Sequence, residues 1–315
     1  MIGKFKSIIQ LLDFFKDEET CKKYLEKYRW GGTITCPHCG YDKKIYRTKV
    51  GYKCASNTCY KKFTVISGTI FENTKVPLRT WFGAIYLATA HKKGISSLQL
   101  GRDLNITQKT AWFLLHRVRA MLKNETPFML TDPIEVDEAY IGGKEKNRHQ
   151  NPYKKAQRKL SIENGTGHDK ALVIGAVQRN GNVFAINIDD VKASSFSEFV
   201  KSVAPEGAIV YTDEHTGYLK LTKLGYKHDS VVHSKGEYVR GAMHINTIEG
   251  YWSLLKRGII GIYHQVSRKH LNQYCVEFSY RYNTKHLTDS LRFEDAIKKS
   301  SNKRLKYLEL TASIK

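Results

Sequence analysis

Residues 133–143 read PIEVDEAYIGG, a strand with Asp137 at its centre between Val136 and Glu138. A charge in the middle of a strand is costly unless it binds something. Two further strands, ALVIGAVQ (171–178) and NVFAINI (182–188), form a hairpin around Arg179, Asn180 and Gly181. A helix over Ser195 to Val203 precedes a strand in AIVYTDEH (208–215) that ends in Asp213. A short helix near TGYLKL (216–221), a strand at DSVVHS (229–234), a helix opening in HINTIEGYWSLLKRG (244–258) and a last helix over 269–283 complete the pattern. Three strands, helix, strand, helix, strand, helices is the order of a ribonuclease H-like fold, a mixed sheet flanked by helices.

The acids sit tellingly within that order. Asp137 and Asp213 fall on strands, and Glu249 lies on a later helix with 35 residues between it and Asp213. From Glu249 to Lys256 is seven positions, about 700° of helical rotation, hence nearly the same face. Asn246 is turned by about 60° from Glu249, near enough to reach the same site. Carboxylates converging on hard divalent cations form a two-metal phosphoryl-transfer site. A carboxylate is the better ligand for such a cation, so Glu249 is favoured as the third catalytic position, with Asn246 an accessory ligand or the alternative. Lys256 and Arg257 are read as phosphate contacts. The neighbouring acids Glu135, Glu138 and Glu214 are read as surface or supporting groups, and His215, His233 and His244 as structural, with a part in proton transfer the alternative.

Ahead of this core, residues 77–123 form three helical stretches in a helix-turn-helix layout. Ser96 or Ser97 is placed to cap the second helix and Thr107 the third. The third helix is the candidate reader of DNA through Gln108, Lys109 and Thr110 at its N-terminal end, with Arg117 further along; Trp112, Leu115 and Val118 form its buried side. The alternative is a plain three-helix packing module. Further upstream, Cys36-Pro-His-Cys39 and Cys54-Ala-Ser-Asn-Thr-Cys59 are separated by fourteen residues. Two cysteine pairs on two tight turns suit one tetrahedral zinc ion, and the strand-like segments at 44–48 and 61–65 make the whole a zinc ribbon. Two disulfides are the competing reading. Cys21 and Cys275 fall in helical stretches and are expected to be buried thiols.

The formal charge is +22 over 315 residues, a balance that calls for a polyanionic partner. Residues 1–126 carry +14 of it and the remainder +8. The first 30 residues read as an amphipathic helix rather than a signal peptide, and no apolar run approaches a membrane span, so a cytoplasmic location is expected. The expected domains are an N-terminal helical segment (1–30), a zinc ribbon (31–72), a helix-turn-helix region (73–126), the catalytic domain (127–290) with a basic loop at 144–170, and a C-terminal tail (291–315).

With its four-cysteine ribbon, VDEAYIGGK around Asp137, TDEHTGY around Asp213 and HINTIEGYWSLLKRG at the third position, the chain resembles the DDE transposases of bacterial insertion sequences that carry an N-terminal zinc ribbon. The resemblance runs from the ribbon to about residue 285. It implies Mg2+- or Mn2+-dependent cleavage and strand transfer of double-stranded DNA at the terminal inverted repeats of an element, with two catalytic ions and one structural Zn2+. Holding two ends together implies at least a dimer in the active complex, nucleoid-associated when on DNA. Members of the group are described with either Asn or Glu at the third position, which leaves Asn246 open beside Glu249. Two other functions fit parts of the chain: a zinc-ribbon regulator with an inactive core, and a structure-specific nuclease of the same fold.

Overall fold

The computed structural model describes residues 5–124, 129–131, 133–143, 170–232, 236, 239–241 and 243–312. The basic segment 144–170 lies outside the described residues except for Lys170, as does His233. The chain divides into two compact units, one of residues 1–123 with 285–315, the other of residues 124–284.

The first unit opens with two helices where the periodicity suggests one, α1 (Ile8–Phe14) and α2 (Glu18–Trp30). The break is made by Asp17, whose carboxylate accepts a hydrogen bond from Thr20 N at 2.7 Å and so starts a new helix. Left-handed Gly31 ends α2. The ribbon follows as an antiparallel sheet of β1 (Ile45–Arg47), β2 (Tyr52–Cys54) and β3 (Lys62–Phe63). The central strand was not anticipated: it is short and carries a ligand-type cysteine, which reads as turn chemistry. Gly51 is required at its start, since a Cβ there would lie 2.5 Å from the Phe63 carbonyl oxygen.

Helices α3 (Leu78–Ala90), α4 (Ser97–Asp103) and α5 (Gln108–Leu122) come next. Ser96 caps α4 through Gln99 N, Thr107 caps α5 through Thr110 N, and Asn105 supplies the positive φ of the turn between them. A short helix, a tight turn and a longer basic helix are present as expected.

The second unit is a five-stranded sheet built from β4 (Ile134–Ile141), β5 (Ala171–Gln178), β6 (Val183–Ile188), β7 (Ile209–Thr212) and β8 (Lys227–Ser230), in the order β6-β5-β4-β7-β8. The first three strands in sequence pair antiparallel, and β4, β7 and β8 pair in parallel. Strand β8 sits two residues earlier than the apolar run at 229–234 suggests, because its four residues pair one for one with the four of β7. Helix α6 (Ala193–Val203) covers one face, burying Phe196, Val200 and Val203 against Val136, Ile174 and Val210. Helices α7 (Asn246–Gly258) and α8 (Arg268–Asn283) cover the other, with Ile248, Trp252 and Leu255 on Val173, Val177 and Ala185. This mixed sheet between helices is the ribonuclease H-like core that the element order predicts.

The expected C-terminal tail is a correction. Residues 289–298 form α9 (Asp289–Lys298), and a short α10 (Tyr307–Thr311) follows. Phe293, Ala296 and Ile297, spaced i, i+3, i+4, are buried in the first unit. The Phe293 ring packs on Phe5, Phe82 and Tyr24, and Arg292 donates to the carbonyl of Thr89 at 3.0 Å. Among the described residues no helix is long and apolar enough to cross a membrane.

Candidate active site

Strand β4 holds Asp137 in the sheet's middle, and the parallel pairing of Glu135 with Tyr211 brings Asp213, one residue past β7, alongside it. Carboxylate oxygens of Asp137, Glu138 and Asp213 lie within 4.8 Å of one another. Trp252 Nε1 donates to Asp137 Oδ2 at 2.9 Å, and the buried Tyr218 hydroxyl donates to Glu138 Oε2 at 2.7 Å. Burial, followed by the charges of Glu138 and Asp213, pushes Asp137 up from 3.8 to about 7. Burial and Asp213 push Glu138 upward as well. Like charges crowded this closely call for a cation between them. The donor set, all hard oxygen, fits a divalent ion of the Mg2+ or Mn2+ kind.

The cluster opens into a cleft of ≈ 690 Å3 whose other wall is α7 and the turn after it, with Glu249, Ser253, Lys256, Arg257 and Ile260. Glu249 therefore shares the cleft with Asp137 and Glu138, although it is not one of the three clustered carboxylates. Asn246, the first residue of α7, is exposed and is not on the cleft wall. Gly175 makes the wall possible: a Cβ there would lie 2.7 Å from the Trp252 ring, so only glycine lets the indole lie on β5 and reach Asp137.

In the ribbon, the sulfurs of Cys36, Cys39, Cys54 and Cys59 also lie within 4.8 Å of one another. Cys36 and Cys59 are 3.8 Å apart, Cys39 and Cys54 3.7 Å. Ligands at the Zn–S distance around one tetrahedral centre stand roughly 3.8 Å apart. Disulfide sulfurs would be at about 2 Å, so the four thiols are arranged as metal ligands.

A family described as the ISXO2-like transposase domain matches residues 129–283, and one described as the transposase zinc-ribbon domain matches residues 16–62. The chain carries the two domains of a zinc-ribbon DDE transposase. A protein of Halobacterium salinarum, described as an uncharacterized protein in transposable element ISH50, is 29% identical over 274 residues, covering 85% of this chain and 91% of that one.

Several expectations change once this transposase is seen folded. Arg117, expected on DNA, is only 6% exposed: its guanidinium donates to the carbonyls of Ile70 and Glu72 and lies 5.0 Å from the Trp81 ring. It is a core residue, placed there because α5 turns that side towards α3. Gln108 and Lys109 are exposed at the start of α5, where Gln108 donates to Ser97 Oγ and the Lys109 ammonium sits 5.3 Å from the Tyr307 ring. Thr110 is half-buried and shares a 2.9 Å hydrogen bond with Thr107. Trp112 is half-buried, whereas Leu115 and Val118 are buried as expected. Glu214 is exposed, but Glu135, read as a surface or supporting acid, is fully buried. Glu138 is the residue that pattern reading missed. Strand alternation sends it to the face opposite Asp137, towards Tyr218. Past the end of β7 both carboxylates nonetheless reach Asp213.

Proposed function

We propose that this transposase binds the terminal inverted repeats of its element and catalyses DNA cleavage and strand transfer at the cleft between β4 and α7. The observation that carries the reading is the convergence of Asp137, Glu138 and Asp213 beside a cleft that Asp137 and Glu138 share with Glu249, Lys256 and Arg257. Asp137, Asp213 and Glu249 are the proposed Mg2+ or Mn2+ ligands. When bound, two such ions supply Lewis acidity to the attacking and leaving oxygens. The chain's own part is to aim the ligands and hold the DNA. Trp252 and Tyr218 fix one oxygen each of Asp137 and Glu138. Lys256 and Arg257 offset phosphate charge where the backbone enters the cleft.

Two displacements follow at phosphorus. In the first, a water oxygen attacks the phosphorus at the element end and gives up a proton, the bond to the 3′ oxygen breaks, and that oxygen takes up a proton, leaving a free 3′-hydroxyl and a 5′-phosphate. In the second, that hydroxyl attacks a target phosphorus and displaces the target 3′ oxygen, so the number of phosphodiester bonds is conserved. The ribbon, with Zn2+ on its four cysteines, and Gln108, Lys109 and Thr110 of α5 are the proposed contacts to double-stranded DNA. Two ends must be held at once, so the working assembly is a homo-oligomer, acting in the cytoplasm on nucleoid DNA.

The test incubates the protein with labelled terminal DNA, a target plasmid and Mg2+ or Mn2+. Joined product is expected, and its loss in Asp137→Ala. Cutting without joining would make the chain a nuclease, and binding with neither would make it a regulator; strand transfer intact in Asp137→Ala would overturn the site.

A further inference from the structure

Helix α7, which carries Glu249 and Lys256, has no cap of its own. The residue before it is Ile245, and no side chain from its own first turn satisfies its leading N–H groups. Those groups turn to β4 instead. The backbone N–H groups of Thr247 and Ile248 donate to Glu135 Oε2 at 2.8 and 3.1 Å, and the Thr247 hydroxyl donates to Oε1 at 2.9 Å. The same carboxylate is fully buried and is paired with Arg179 Nε at 2.7 Å, with His244 Nδ1 at 3.2 Å. Arg179 is itself held, by the His244 carbonyl at 2.9 Å and by the Tyr211 ring, whose centroid is 5.0 Å away.

A buried carboxylate is costly unless its charge is met on several sides. Here a guanidinium and the positive end of a helix meet it together. Glu135 and Asp137 are two apart on β4, hence on the same face of the sheet. The strand that presents Asp137 therefore also grips the first turn of the helix that presents Glu249. Hydrogen bonds from two successive backbone N–H groups add a directional constraint to the packed apolar interface.

We propose that Glu135 is a positioning residue of the strand-transfer site: it caps α7 from the neighbouring strand and sets Glu249 and Lys256 against Asp137. The inference rests on the reading of the cleft given above. In the full-length, zinc-loaded protein, Glu135→Gln removes the charge that meets Arg179 and leaves one acceptor oxygen where α7, Thr247 and Arg179 use two. Mn2+ binding, followed by electron paramagnetic resonance, is expected to weaken by about 10- to 100-fold. Turnover of terminal DNA should fall, while zinc content and near-ultraviolet circular dichroism stay as in the parent. In a Glu249→Ala background the same substitution should change Mn2+ affinity by less than about twofold, because the group through which it acts is gone.

Parent-like Mn2+ affinity in Glu135→Gln, or an equal loss in both backgrounds, overturns the proposal. Should Glu135→Gln fail to fold, Thr247→Val replaces it: several-fold weaker Mn2+ binding, restored in Thr247→Ser, supports the role, and unchanged binding overturns it. Asp137→Asn separates the two layers. Mn2+ binding retained there would remove the reading of the cleft itself, while binding lost there but kept in Glu135→Gln removes only the role of Glu135.

Discussion

The two metal-type clusters of this transposase are built in opposite ways. In the ribbon all four ligands fall within residues 36–59, and the buried apolar residues around them are few, two of the four being ligand cysteines. In the second unit, Asp137 and Asp213 come from strands far apart in sequence, joined by a sheet with a packed core on each face. The ribbon has little besides its cysteines to hold it together, whereas the sheet holds its carboxylates together, even against their mutual repulsion. On the proposed reading one centre is a folding device and the other a preorganised charge.

The largest expected effect tests the first half of that contrast. Stripping the metal or making Cys54→Ser should remove a contribution of about 10–16 kcal/mol and unfold the ribbon. Hydrogen exchange would then show loss of protection over β1–β3 while β4–β7 stay protected; a ribbon that remained protected would break the comparison. Next in size, Asp137→Ala should lower strand transfer by roughly 10^4-fold. It should leave the metal-free melting temperature of the second unit unchanged or raised, because a crowded buried carboxylate is removed. A large drop in melting temperature would make Asp137 a structural residue.

Smaller effects sharpen the same picture. Arg117→Ala should cost about 2–3 kcal/mol in urea unfolding, from lost charged hydrogen bonds to buried carbonyls. It should leave the salt dependence of DNA binding as it was, whereas Lys109→Ala should lower that slope by about one; a changed slope in Arg117→Ala would return that residue to the DNA surface. The smallest effect is in pH. Asp137 is raised from 3.8 to about 7, so its contribution to stability is present in full below its ordinary value and is lost as pH rises through about 7. The gain in melting temperature on adding Mg2+ should therefore grow between pH 5 and pH 8, by a few degrees. Equal gains at both would show that no proton is displaced from the cluster.

Much of the site was legible because its chemistry is written in local patterns. The cysteine pairs, the mid-strand Asp137, the strand-end Asp213 and the capping Ser96 and Thr107 each follow from short-range rules. Glu138 was not, because period-two alternation puts it on the face opposite Asp137, and only past the end of β7 does Asp213 come within reach of both. Arg117 looked like a surface cation, because the reading of a basic helix cannot say which of its charges turn towards a core. The stretch beyond residue 290 looked like a tail, since its stripe of Phe293, Ala296 and Ile297 makes sense only beside the aromatic cluster it completes.

By itself the chain order of strands, helices and acids determined the kind of fold and the kind of chemistry, because hydrophobic period and ligand type are local properties. Which acid meets which is not local. The grip of Glu135 on α7, the place of Glu249 on the cleft wall and the burial of Arg117 were decided only by tertiary structure. A carboxylate or guanidinium takes its role from the groups packed against it, and those come from parts of the chain that no spacing rule connects.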